Sequence, residues 1–426
     1  MYLLIGPPQL ARRALKRREK IVRELSEAPH LISAKASELP VDLSEKEKRT
    51  LKFASTVSDY EATVGNKVVI LPDSKAALQE MQNAIKSAKH FIHLEYYIIA
   101  SDEVTAQIFD SLIEARKRGV EVRVLYDALG SLSLKKIYFR KLTENGIQIA
   151  GFLPLSAVYQ RFNLNFRNHR KILVVDGEKA FTGGTNIGKQ YLGGLDPARW
   201  HDYTILVEGP AVLQLQDVFS KDWHFTTDED LFLSKYYPPP KSGGDAIIQV
   251  LESGPDSEFH SLHQVILMIL HSAEEEILMT TPYFIPDESM RSALTIAALK
   301  GVNVELILPS KSDAPFVQLA SRSFYDFFLK TGVEIHEYLP RILHAKLMTV
   351  DKKWTLVGSA NMDTRSFKLN FEINLLIHSR SLSKQADHLF ENDFQDSKQI
   401  HLEEFEKRST REKILENAMR LFSPLM

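Results

Sequence analysis

From residue 89 onward the chain alternates short apolar runs with amphipathic stretches, and the alternation occurs twice. The run from Lys89 to Ile98 has the pattern of a buried strand, and a helix is predicted over about 103–118. Gly119–Asp127 reads as a second strand and Gly146–Phe152 as a third, with a helix between them. The second half repeats the order with strands at Glu276–Phe284, Gly301–Pro309 and Gly332–Tyr338. Strands and helices at this spacing predict an α/β fold of parallel β-α units whose sheet faces are covered. Each half ends in a similar helix signature, Phe219-x-x-Asp222-Trp223 and Phe390-x-x-Asp393-Phe394. A proline- and glycine-containing stretch, 237–244, reads as the linker between the halves.

After the third strand of each half comes one constellation of polar residues. It is His169-x-Lys171-x4-Asp176 with Gly183 and Asn186, and again His344-x-Lys346-x4-Asp351 with Gly358 and Asn361. Every one of these positions is displaced by 175 residues from its counterpart. In an extended strand, residues i and i+2 point to one face, so each histidine shares a face with its lysine. Ile172, Val174, Leu347 and Val350 help bury the segment, and Asn186 and Asn361 return an amide to the same side. Each half offers an imidazole, an ammonium and an amide. Two such halves placed face to face surround one phosphodiester, whose transfer needs fixed donors around the equatorial oxygens.

A neutral histidine suits the nucleophile, and the opposite one suits proton transfer to the leaving oxygen and from the incoming hydroxyl. The attacking ring needs its other nitrogen protonated and oriented, for which Asp202 and Glu372 are the candidates. A lone buried histidine is commonly a satisfied core group, but a matched pair with matched neighbours argues for chemistry. Asp176 and Asp351 close the motifs at strand ends, where aspartate commonly forms turns, so a structural role outweighs direct chemistry. His260 and His263 have the i, i+3 spacing of metal ligands but no third partner, and read as helix-surface residues.

Composition narrows the field further. The 426 residues suffice for two domains, and 44% hydrophobic with 25% charged residues is globular. The absence of cysteine excludes disulfides, thiolate metal sites and a cysteine nucleophile. A formal net charge of -2 gives no general reason to expect nucleic acid. There is no apolar run of membrane-spanning length. The apolar start Tyr2–Gly6 runs directly into a basic stretch with Arg12, Arg13, Lys16, Arg17, Arg18, Lys20 and Arg23. That pattern reads either as a solvated surface helix or as the flank of a membrane anchor cut away before residue 1.

With these motifs, the chain resembles the phospholipase D superfamily and, within it, the bacterial cardiolipin synthases. The narrower resemblance also rests on Tyr2–Gly6, Gly209–Val212, Thr280–Phe284, Leu369–Glu372 and Leu421–Leu425. It implies two tandem phospholipase D-type α-β-α domains with mainly parallel sheets and pseudo-two-fold symmetry. The implied organisation is a membrane-proximal basic segment at 1–50, a first half at 51–240 and a second at 245–426. The implied reaction transfers a phosphatidyl group between two phosphatidylglycerol molecules, releasing glycerol, with no metal or other cofactor.

By the same resemblance His169 is the nucleophile and His344 the acid and base. Lys171, Lys346, Asn186, Asn361 and Ser359 become phosphate binders, and Asp202 and Glu372 histidine orienters. Gly184 departs from the pattern, standing where Ser359 stands in the other half. The expected setting is the bacterial inner membrane, with anionic phospholipids as partners and no nucleic acid.

The first half has 23 steps from Gly146 to His169, against 12 from Gly332 to His344. The extra residues include 153–164, an apolar, aromatic segment carrying Arg161, which reads either as core or as an amphipathic lip for a membrane surface. Pro315–Phe328 is a second such region, divided between core and surface. Lys135, Lys136, Arg140 and Lys141 stand ready for anionic headgroups. Three readings follow: a membrane-surface phosphatidyl transferase, a hydrolytic phospholipase D or nuclease, and a degenerate scaffold. Intact motifs argue against the last, and the mildly acidic chain argues against a nuclease. Oligomeric state is not legible in the sequence.

Overall fold

The computed structural model describes residues 39, 43–71, 73–153, 166–192, 200–241, 243–257 and 259–422. The basic amino-terminal stretch, the 153–164 segment beyond Leu153 and the final four residues lie outside the described residues.

The first half contributes β1 (Thr63–Leu71), β2 (Phe91–Tyr96), β3 (Glu121–Asp127), β4 (Gln148–Phe152), β5 (Arg167–Asn168), β6 (Lys171–Val175), β7 (Lys179–Gly183) and β8 (Thr204–Glu208). The second contributes β9 (Ala246–Ser253), β10 (Glu276–Thr280), β11 (Phe284–Ile285), β12 (Asn303–Pro309), β13 (Glu334–Tyr338), β14 (Leu347–Val350), β15 (Trp354–Gly358), β16 (Met362–Asp363), β17 (Asn370–His378) and β18 (Ser397–Ile400). One sheet runs β18-β13-β12-β10-β14-β15-β17-β9-β1-β8-β7-β6-β2-β3-β4. Apart from β18, the order reads the same outward from the central β9–β1 pair, so the repeat in the sequence is a repeat in space. The parallel pairing predicted from the pattern holds for β2-β3-β4 and β10-β12-β13. The middle of the sheet is antiparallel, so the sheet is mixed. The cause is local: each His-x-Lys strand turns straight back through a tight hairpin, β6 into β7 and β14 into β15.

Both hairpins turn at the motif aspartate. Asp176 and Gly177 both have positive φ, as do Asp351 and Lys352, the signature of a type I′ turn that matches strand twist. The Asp176 carboxylate accepts from the backbone N–H groups of Lys89, His90 and Phe91. Asp351 accepts likewise from Glu274, Glu275 and Glu276. Each aspartate thus pins the motif strand to the start of β2 or β10 and fixes its register.

Alternation along β6 covers both faces. Ile172 and Val174 point into a core shared by the two halves, whereas Leu173 and Val175 point to a core of the first half alone. The shared core is closed by helices Ala211–Thr227 and Arg380–Gln395, which bring Phe219, Trp223 and Phe390 into it. These helices carry the two Phe-x-x-Asp signatures. Helix Glu45–Val57 spans the expected boundary at residue 50, yet its Leu51 and Ala54 pack in the core of the second half with Leu262 and Val265. Among the described residues no helix is long and apolar enough to cross a membrane. In the Pro315–Phe328 region Phe324, Tyr325 and Phe328 are buried, while Phe316 and Phe327 are 66% and 42% exposed.

Candidate active site

The shared core brings the two motifs together at the seam. β5 pairs with the start of β17, Asn168 opposite Phe371, and the His169 N–H donates to the Phe371 carbonyl. The mirror contact places His201 against Leu343, and the His344 N–H donates to the His201 carbonyl. Each histidine therefore enters the site beside a strand of the other half. The carboxylates follow the same exchange. His169 Nδ1 donates to Glu372 Oε2 at 2.8 Å, and His344 Nδ1 donates to Asp202 Oδ2 at 2.6 Å. A carboxylate cannot donate, so each ring carries its proton on Nδ1 and leaves Nε2 unprotonated. Both rings face one cavity of about 390 Å³, lined also by Tyr97, Arg167, Asn186, Trp200, Tyr283, Asp313, Asn361, Asp363 and Arg365.

Burial sets the protonation state. It pushes His169 down to about 4, against the Glu372 charge, with Lys171 and Lys346 adding to the depression. His344 is lowered by burial first and by Lys346 second. Both rings are thus neutral at neutral pH, as a nucleophile and a proton acceptor require. Burial lowers Lys171 to about 7, and lowers Lys346 as well. Glu372 is held below the usual carboxylate range, against its burial, by His169, Lys171 and Ser359.

The predicted residues divide into three groups. His169, His344, Asn186 and Asn361 reach the cavity wall. Asn186 keeps its Oδ1 on the Ile98 N–H and leaves its buried Nδ2 without a hydrogen-bond partner. Asp202 and Glu372 stand behind the rings, and so do the lysines, which are not among the lining residues. Lys171 Nζ donates to the His169 carbonyl at 2.6 Å, and Lys346 Nζ donates to the His344 carbonyl. Asp176 and Asp351 belong to the hairpins described above.

Ser359 is a correction. Its hydroxyl does not face the cavity but donates to Glu372 Oε2 at 2.5 Å, and it accepts from the Ile373 N–H. Gly184, its counterpart, has no hydroxyl to offer because there is no space. A Cβ there would lie 2.2 Å from Asp202 Oδ1. His263 is a second correction: it is buried, pairs with Asp287 at 3.1 Å and packs on Phe367. Neither it nor His260 joins a metal-ligating group among the described residues.

The structure adds further residues to the site. The Arg170 guanidinium is buried among Asp222 at 2.5 Å, Glu252 at 3.1 Å and the Glu372 carbonyl, so it ties the strand of His169 to the second half. Tyr97 packs edge-on against His169, while Trp200 and Tyr191 pack against His344. Tyr283 donates to Asp313, and both line the cavity. Trp200 and Tyr283 were visible beside Asp202 and in Thr280–Phe284. Arg167, two residues before His169, carried the spacing of a residue on the histidine's face.

A family model described as the phospholipase D-like domain of cardiolipin synthase matches residues 81–223 and 266–394. The chain belongs to the cardiolipin synthase family of the phospholipase D superfamily. It is 37% identical over 416 residues to cardiolipin synthase 1 of Bacillus anthracis, covering 96% of this chain and 81% of that one. It is 39% identical over 359 residues to cardiolipin synthase 2 of Bacillus cereus, covering 84% and 70% of the two chains. The family member shares its fold with the phosphatidylserine synthase of Haemophilus influenzae, at a TM-score of 0.69 and 15% identity over 89% of this chain and 100% of that one.

Proposed function

We propose that this enzyme transfers a phosphatidyl group from one phosphatidylglycerol to another, forming cardiolipin and releasing glycerol. The observation that carries the reading is the crossed pair of histidines. Two neutral imidazoles open on one cavity, each held at Nδ1 by a carboxylate of the opposite half. His169 Nε2 attacks the phosphorus, and the bond from phosphorus to the glycerol oxygen breaks. His344, protonated in the complex, gives its proton to that oxygen, and glycerol leaves. The second phosphatidylglycerol then gives its hydroxyl proton to His344 and attacks the phosphohistidine, whose P–N bond breaks. Asn186 and Asn361 hold the equatorial oxygens, and the Lys171 and Lys346 ammoniums supply positive charge from just behind the rings. The arriving phosphate anion raises the histidine and lysine pKa values and so draws the needed proton into the site.

Transfer uses a lipid acceptor, so the site works at a membrane surface. The exposed Phe316 and Phe327 and the basic Lys135, Lys136, Arg140 and Lys141 support such a contact. The test is incubation of the purified protein with phosphatidylglycerol vesicles, followed by separation of the lipids. Cardiolipin and glycerol in equal amounts are expected. Phosphatidic acid as the sole product would replace transfer with hydrolysis at the same site.

A further inference from the structure

The cavity is not electrically symmetric, although its scaffold is. The 175-residue step that superposes the motifs carries Arg167 onto Ile342 and Arg365 onto Gln190. Both arginines line the cavity, and both act on Tyr97, the ring that packs against His169. Arg167 precedes His169 by two residues and is paired in register with Asn370, just after the short helix Thr364–Lys368 that carries Arg365. The His344 end offers Trp200, Tyr191, Tyr283 and the Asp313 carboxylate instead. Arg167 is pushed below its ordinary range by burial first, with Asp127 and Tyr97 opposing that and Arg365 adding to it. An anion entering this end of the cavity meets two guanidinium groups, whereas the other end offers none among the described residues.

The histidines, lysines and asparagines already account for one phosphate. We infer that Arg167 and Arg365 form a second phosphate subsite, which holds the phosphodiester of the acceptor lipid while its hydroxyl attacks. This rests on the transferase reading above and deepens it. A phosphatidylglycerol acceptor carries its own phosphate one glycerol away from the attacking oxygen, whereas water and simple alcohols carry none. A planar guanidinium pair binds a phosphate through several parallel N–H donors. The binding energy then positions the hydroxyl at the phosphohistidine, where orientation counts most. Selection of acceptor over water is the consequence.

The experiment measures partition of the intermediate. Labelled phosphatidylglycerol is the donor, and glycerol and glycerol phosphate compete as soluble acceptors, with products counted as a ratio. The native enzyme is expected to favour the phosphorylated acceptor. In Arg167→Gln and Arg365→Gln the ratio falls by about tenfold to a hundredfold, the size of a lost charge-assisted hydrogen bond. Arg365→Lys, which keeps the charge, recovers part of the ratio and controls for misfolding. A native enzyme without preference, or variants in which both products fall equally, would overturn the subsite. Cardiolipin formation is scored separately on phosphatidylglycerol alone. Its absence would sink the cardiolipin reading, while the soluble-acceptor ratio still decides the subsite.

Discussion

The two halves share one backbone plan and reach the same end by different atoms. In the second half Glu372 extends to His169 with Ser359 donating to its carboxylate. In the first half Asp202, one methylene shorter, reaches His344 by lying against Gly184, where any side chain would collide with it. The helix aspartates diverge likewise: Asp222 grips Arg170, whereas Asp393 grips His201 at 2.8 Å and Tyr203 at 2.9 Å. Duplication thus fixes where the imidazole must be held, and leaves each half free to choose its support.

The strongest test of equivalence is removal of either imidazole. His169→Ala and His344→Ala should each lower kcat by about 10⁴-fold or more, because the pair acts as one unit. Substantial turnover in either would mean that one half works alone. Exchanging the supports comes next. Gly184→Ser should displace Asp202 and cost about a hundredfold in kcat, since histidine orientation is lost. Ser359→Gly should cost about tenfold, removing one hydrogen bond to a charged group. Equal losses would erase the asymmetry between Gly184 and Ser359.

The pH profile sharpens the comparison of the lysines. Lys171 is lowered to about 7, so its charge is present below that pH and lost as pH rises through it. His169, lowered to about 4, stays neutral down to that value and sets no earlier acid limit. In the free enzyme the His344 proton is lost below its ordinary range and the Lys171 charge next, so kcat/KM should fall toward neutral pH and fall more steeply above about pH 7. Lys171→Arg should remove the steeper fall above about pH 7, and an unchanged slope there would assign it to Lys346, which burial also lowers. The smallest effect belongs to the hairpins. Lys352 has a φ of 54° where Gly177 fills the matching turn, so Lys352→Gly should relieve about 1 kcal/mol. Denaturant midpoints measure this, and no gain would show the turn to be unstrained.

The repeat was open to reading because strand patterns and motif spacing are local. Glu372 and Asp202 were recognisable as orienters, but not which ring each serves. They lie 203 and 142 residues from their partners, and pairing across the β9–β1 seam leaves no local trace. Ser359 was misjudged because a hydroxyl after glycine looks like a phosphate contact until the strand behind it is seen. Arg170 looked like the variable residue of its motif, although its burial with Asp222 and Glu252 ties the halves together.

The crossed carboxylates have a consequence for the life of the chain. A phosphatidyltransferase that worked while half-made would be a hazard. Here a nascent first half holds Asp202 but no His344, and holds His169 without Glu372. The exchange therefore works as a logical conjunction: the reactive nitrogen is armed when both halves have closed on each other, and a partly folded molecule is safe by construction.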